Sequence, residues 1–421
     1  MLGFYGLIQF IFIAVALFIV VLLTFSCKEK KRFNSENSEQ FNEEYINLDL
    51  DHSSRTSNLR MSSLFSSVKI IPLQITDNSI IGTIDNLQVT DDKLFVLDKI
   101  NANSLFVFDM KGKFLFKVGN KGLGPGEYSE ISDFTIDIVN KFIFLLDNYR
   151  QIINVYNLED GVFQYDINIM NSKYISYNVQ YANGTLYADI YNRENNNDKK
   201  QYLLRSIDYK TGKTTGFYLD TNSYNKAYNQ IDYLGNKVFF SRNNKPVFMQ
   251  LFINSIMMLF NEDVEPYIVL KSKEFVEAKE LAEAIGFSEN NNFLSSYFFT
   301  KNKFHTLENF IETDHFILIK CYFNNLVQYL YFDKEVKKTT VHNILYDDVL
   351  FKDFDIKTNK TRANFLCSTE IGVYACLSND NLSYLINDFN KKELNLNQSD
   401  SKFFSQLNEE SNPIILLYEY K

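Results

Sequence analysis

Two sets of residues in this chain have types and spacings that could do chemistry. The first is a glycine cluster. In "KVGNKGLGPGEYSEISDF", Lys117–Phe134, the residues Gly119, Gly122, Gly124 and Gly126 fall close together in a chain with only 15 glycines. Glycine-rich loops cradle phosphates when a helix N-terminus follows them. Here no GxxxxGK[ST] run exists, Pro125 interrupts the G-x-G-x-x-G spacing, and the next segment, Ile131–Ile138, reads as a strand. The loop therefore reads as a structural crossover built from Gly119, Gly122, Gly124, Pro125, Gly126, Glu127 and Tyr128, with Gly124 expected to resist a β-branched side chain.

The second set is Asp98, Asp147 and Asp189, which close apolar runs at matching places in three successive repeats. Carboxylates converging at the mouth of a channel would hold a divalent metal or act as acid and base. Carboxylates that recur repeat by repeat also satisfy turn amides, and the recurrence favours that structural role. The four histidines, His52, His305, His315 and His342, are scattered, and Cys27, Cys321, Cys367 and Cys376 form no C-x-x-C pair. No metal and no cofactor is expected. Without a G-x-S-x-G, H-E-x-x-H or D-x-D-x-D-G run, no intrinsic catalysis is expected either. Cys367 and Cys376 share the hairpin-like run "NFLCSTEIGVYACL" and are expected to be free, buried thiols, because a strand pair rarely suits disulfide geometry.

The elements that would position these residues are strands. Aromatic residues make up 16% of the 421 positions, with 39 Phe, 27 Tyr and no Trp, and such richness favours sheets. Four segments repeat one layout of strand, polar turn, strand, loop, strand, tight turn, strand: Asp85–Gly119, Ser132–Ile169, Tyr177–Leu219 and Leu307–Ile344. Gly112, Gly161 and Gly212 mark the tight turns at intervals of 49 and 51 residues. A four-stranded unit at this period is the sequence sign of a β-propeller blade. Degenerate blades near 236–270 and 350–377 bring the count to six, and the terminal strands Val68–Ile75 and Pro413–Tyr420 are expected to share a blade and close the ring. Closure removes the edges that an open array would expose. The run "SKEFVEAKELAEAIGFS", Ser272–Ser288, has helical spacing and predicts a decorating helix, with a second near Ser401–Leu407.

The N-terminus carries an address. Residues 1–26 contain no Asp, Glu, Lys or Arg, and Cys27 follows Ser26 directly. Two readings compete: a lipoprotein signal peptide with Cys27 as the lipid attachment site, or an uncleaved membrane helix. The placement of Cys27 before a polar stretch rich in Asn, Ser and Glu favours the first. The expected division is signal peptide or membrane anchor 1–26, polar tether 27–66 and propeller 67–421. The net charge of −9 and the lack of a basic block in the body exclude a nucleic-acid partner.

The run "GNKGLGPGEYSEISDFTID" resembles the interblade signature of the six-bladed β-propeller lipoproteins of Bacteroidetes, relatives of NHL- and TolB-like propellers. "VKIIPLQ" resembles that family's opening strand, "KLFVLD" and "SLFVFDMKGKFLFKVG" its first blade, and "ENFIETDHFILIKC" a later blade. The resemblance implies an all-β, six-bladed β-propeller, exported and held to a membrane through a lipid on Cys27. It also implies a cell-envelope location, on the periplasmic face of the outer membrane rather than the outer surface. The expected function is a binding or scaffold module for a protein, peptide or glycan. The alternatives are a propeller hydrolase or lyase with acids at the channel mouth, and an inner-membrane sensor. Replacing the lipid-bearing cysteine tests the address: Cys27→Ser is expected to abolish incorporation of labelled palmitate and to accumulate precursor. A wild-type protein that never takes up the label contradicts the lipoprotein reading.

Overall fold

The middle strands of the repeats explain the architecture. In "KLFVLD", Lys93–Asp98, every residue is buried. Successive side chains on a strand point to opposite faces, so this sheet must be covered on both. Leu94 and Val96 pack toward Ile415 and Leu417, while Phe95 and Leu97 pack toward Ile143 and Leu145 of the following repeat. A sheet with two apolar faces needs a neighbour on each side, and a ring of sheets supplies this to every member.

The computed structural model describes residues 45–171, 173–192, 202–221, 237–242, 245–260, 263–277, 279–281, 283, 301–324, 326–352, 364–377, 379–391, 393–408 and 410–421. Cys27, the apolar N-terminus and most of "YNRENNN" lie outside them. The described residues form an all-β, six-bladed propeller. Blade I comprises Asn86–Val89, Lys93–Asp98, Ser104–Asp109 and Phe114–Val118. Blade II spans Ile131–Asn168 and blade III Val179–Asp220, each with four antiparallel strands. Blade IV runs from Phe239 to Lys271 and blade V from Phe304 to Tyr346. Blade VI joins Asn364–Ser368, Gly372–Leu377 and Ile414–Tyr420 to an outer strand from the beginning of the chain, Phe65–Pro72.

That outer strand closes the ring, pairing antiparallel with Ile414–Tyr420 through Val68↔Tyr418 and Ile70↔Leu416. It starts three residues before the expected Val68. Five apolar clusters then run from one blade to the next, joining VI to I, I to II, II to III, III through V, and V to VI. The turn glycines fit the same packing. Gly112, Gly161 and Gly212 have φ of 80°, 69° and 71°. A Cβ on Gly112 would lie 1.9 Å from the Pro72 carbonyl oxygen, and one on Gly212 2.3 Å from that of Asn168. Each of these turns docks on the outer strand of the preceding blade, where only a glycine fits.

Two expectations need correction. From Ile46 onward the expected tether is built into the sheets. A strand β1 (Ile46–Asp49) adds in parallel to the outer strand of blade IV, and β2 (Ser54–Arg60) adds in parallel to that of blade V. Leu48 and Leu50 enter the core, but β2 buries only Leu59. A fifth strand on the rim takes its backbone bonds from the ladder and needs little apolar surface, so its composition imitates a linker. The expected helix over Ser272–Ser288 also begins late. Phe275 bridges to Phe304 and the Val276 amide donates to the Phe304 carbonyl, so this stretch is extended, and helical residues appear at 279–281 and 283. Burial of Phe275 and Val276 in the core that joins blades III to V overrides the helical spacing. The connection between the second and third strands of blade VI carries two helices. Helix α1 (Asn379–Asn390) was not anticipated. Helix α2 (Gln398–Phe404), capped by Asn397, lies near the expected second helix.

Candidate functional site

The three aspartates occupy equivalent places and do not meet. Asp98 accepts hydrogen bonds from the Gly82 amide at 2.7 Å and the Asn101 amide at 2.8 Å. Asp147 accepts from the Ser129 and Arg150 amides at 2.6 and 3.0 Å and from the Arg150 Nε at 2.8 Å. Asp189 accepts from the Tyr177 and Asn178 amides at 2.8 and 2.9 Å and from the Asn178 side chain at 2.6 Å. All three are buried. Each ties the crossover entering its blade to the end of the second strand. Among the described residues no group of three His, Cys, Asp or Glu is arranged to hold a metal. Burial pushes the Asp189 carboxyl up to about 6, against the pull of its donors.

The glycine cluster is the crossover from blade I to blade II. Asn120–Lys121 pair in parallel with Glu127–Tyr128. The Gly122 amide donates to the Tyr128 carbonyl at 2.9 Å, and the Gly124 amide to Glu127 Oε2 at 2.8 Å. The Gly126 carbonyl accepts from the Tyr156 hydroxyl at 3.0 Å, and the Glu127 carbonyl from the Arg150 guanidinium and the Asn154 amide. These amides are engaged within the loop, and the segment leads into a strand, so it offers no phosphate cradle. The steric constraint sits beside Gly124 rather than on it. Gly119 and Gly126 have φ of 62° and 70°, and a Cβ on Gly126 would lie 2.6 Å from the Phe163 ring. A Cβ on Gly124 would meet only the mobile end of Glu127, at 3.1 Å.

Sequence reasoning missed the polar cluster on the axis. The inner strands of the blades surround a small cavity of about 20 Å³, lined by Asn86, Asp133, Lys237, Phe239, Phe310 and Cys367 among others. Lys237 donates from Nζ to Asn86 Oδ1 at 2.9 Å and to the Leu366 carbonyl at 3.2 Å. Asn86 donates from Nδ2 to Asp133 Oδ1 at 2.8 Å, and the Val179 amide donates to Asp133 Oδ2 at 3.0 Å. The network thereby touches blades I, II, III and VI and the residue that leads into blade IV. Below it, Thr135 accepts from the Tyr181 amide and Gln88 donates to the Phe134 carbonyl. Burial raises the Asp133 carboxyl above the usual carboxylate range and lowers the Lys237 ammonium below the usual lysine range. Burial also pushes the Cys367 thiol up to about 12, so it is no nucleophile. Cys321, Cys367 and Cys376 are free. Cys367 pairs with Tyr374 and Cys376 with Asn364, so the two are not opposite one another. A signal for the axis existed in the repeats: Asn86 and Asp133 each stand directly before a buried apolar residue of an inner strand, Leu87 and Phe134.

One face of the disc differs in its loops. It carries the crossovers between blades and the links between second and third strands. Exposed there are Ile80, Ile100, Leu123 and Tyr149, the last two 79% and 78% accessible. These residues come from blades I and II and the crossovers that flank blade I.

Residues 44–419 match the family model DUF4934, a domain of unknown function. No curated protein matches by sequence. Among solved structures, a Bacteroides fragilis protein described as a "putative exported protein" is 17% identical, with TM-score 0.67 over 90% of this chain and 99% of that one. A Bacteroides vulgatus member of the DUF4221 family is 11% identical, with TM-score 0.48 over 85% of this chain and 97% of that one. The first of these likenesses shows the propeller fold.

Two outcomes follow from the crossovers and their aspartates. Gly126→Val is expected to cost roughly 1–3 kcal/mol in denaturant unfolding, whereas Gly124→Ala changes stability little. Equal losses would remove the crossover from its role. The second concerns pH. The folded state keeps the Asp189 proton up to about pH 6, while the unfolded chain releases it near the ordinary aspartate value. The charged carboxylate therefore costs stability above that value, and the cost is relieved as pH falls. Asp347, buried beside Tyr418 and also raised to about 6, behaves alike. Between about pH 7 and about pH 5 each group is expected to add about 1 kcal/mol. Asp189→Asn removes its share, so a variant with the wild-type pH slope would contradict the assignment.

Proposed function

From the premise that the chain belongs to the DUF4934 family, we propose that it is an exported, lipid-anchored binding module. Its crossover face takes a protein partner. The observation that carries this reading is the set of exposed apolar side chains on that face, Ile80, Ile100, Leu123 and Tyr149. Exposed apolar side chains on neighbouring loops mark an interaction surface, and loops on a rigid scaffold are where propellers carry their binding residues. The engagement of Asp98, Asp147 and Asp189 with backbone amides supports a binding role over a channel-mouth hydrolase or lyase.

The address is part of the same proposal. Residues 1–26 act as a signal peptide, and Cys27 takes the lipid that holds the protein to the membrane. Among the described residues no helix is long and apolar enough to cross a membrane. The likeness in fold to a Bacteroides fragilis protein described as a "putative exported protein" supports a cell-envelope location.

Photo-crosslinking in living cells tests the face. A crosslinker replacing Leu123 or Tyr149 is expected to give a discrete protein adduct. The same group at Val139, on the opposite face and 89% exposed, is expected to give none. Equal adducts from both faces, or none from either, would overturn the proposal.

A further inference from the structure

The polar cluster on the axis has the composition of a reaction centre rather than only of a brace. Three groups stand in series: an amine, a carboxamide and a carboxylic acid. Lys237 Nζ is 2.9 Å from Asn86 Oδ1, and Asn86 Nδ2 is 2.8 Å from Asp133 Oδ1. Phe134, Phe239, Phe240 and Phe310 line the same cavity, and the Lys237 ammonium lies 5.3 Å from the centre of the Phe240 ring. The cavity has about 20 Å³, room for about one water molecule.

We propose that Lys237 and Asn86 join in an intramolecular isopeptide bond, formed by the folded protein itself with Asp133 as the proton carrier. The Lys237 ammonium gives up one proton along the Asn86 carboxamide, from Nζ to Oδ1 and from Nδ2 to the Asp133 carboxylate, and the neutral amine attacks Asn86 Cγ. A bond forms between Nζ and Cγ. Asp133 returns its proton to Nδ2, with which it is in contact, the attacking nitrogen passes a second to Nδ2 within the tetrahedral intermediate, and the Cγ–Nδ2 bond breaks as the departing ammonia takes the proton from Oδ1. The products are a secondary amide and ammonia. When ammonia departs with the last proton as ammonium, it carries away the charge Lys237 brought, and Asp133 is again a carboxylate. Nothing is oxidised or reduced, and no co-reactant is required.

Two physical conditions favour this reaction here over the same groups in water. Holding amine and amide in contact replaces a bimolecular encounter with an intramolecular one. Burial lowers the Lys237 ammonium and raises the Asp133 carboxyl, which moves the pair toward the neutral amine and neutral acid that the chemistry needs. The remaining Asp133 oxygen is held by the Val179 amide at 3.0 Å, which fixes the acid's orientation.

The bond would join blade I to the beginning of blade IV, residues 151 apart in sequence and on opposite sides of a six-membered ring. The described cysteines are free, so the amide would supply the covalent cross-brace that no disulfide among them provides. Closing so long a loop restricts the unfolded chain more than the folded one.

Peptide mass spectrometry of the full-length, denatured and trypsin-digested protein tests this directly. The expected product is a branched peptide containing Asn86 and Lys237, lighter by one ammonia than the sum of its two arms and absent from Lys237→Arg and Asp133→Asn. Recovery of the Asn86 and Lys237 peptides unlinked from folded wild-type protein would overturn the proposal, whatever the variants do. A branched peptide that persists in Asp133→Asn would overturn the role assigned to Asp133.

Discussion

The constraint on which the structure depends is two-sided burial of the middle strands. A blade such as Lys93–Asp98 with its partner Ser104–Asp109 is apolar on both faces, and at roughly 25 cal/mol per Å² of apolar surface neither face can be left in water. Six such blades can satisfy one another only if the first meets the last. The strand Phe65–Pro72, laid beside Ile414–Tyr420, makes that meeting. It covers the edge of blade VI and places Ile71 against the core shared with blade I.

Closing the ring brings the inner strands to a common axis, and the axis sets a second demand. Backbone and side-chain polar groups gather there out of water and must be paired. Asn86, Asp133 and Lys237 meet this demand as one chain of donors and acceptors that spans the ring. The same chain lies along the wall of the axial cavity. The aspartates Asp98, Asp147 and Asp189 serve the loops, each pinning a crossover to its own blade. Leu123 and Tyr149 are thus displayed on segments whose ends are fixed.

Much of this was legible in the sequence because it repeats. The blade period, the turn glycines and the matched terminal strands each record a local geometry that every blade must adopt. What the repeats did not record was harder to read. Strands β1 and β2 occupy the rim, where ladder hydrogen bonds do the work and side chains such as those of Ser54, Arg55 and Thr56 stay exposed. Their polarity resembles a tether's. The stretch around Phe275 has helical spacing, but its apolar residues are taken by the core between blades. The steric limit in the glycine loop falls on Gly126, because Phe163 of the next blade approaches it, a contact that sequence spacing cannot report. The axial network joins residues from Asn86 to Lys237, and its members read singly as the polar ends of strands.

The ring is one cooperative unit closed by the strand Phe65–Pro72. Native-state hydrogen exchange measures this most directly, because amides that open only with global unfolding share one free energy of exchange. The account predicts that the slowest amides of Val68–Ile71, of Ile415–Tyr418 and of the middle strands of blades I to V exchange with the same free energy and the same denaturant dependence. Exchange of Val68–Ile71 and Ile415–Tyr418 through a separate opening of lower energy, with blades I to V still protected, would contradict it.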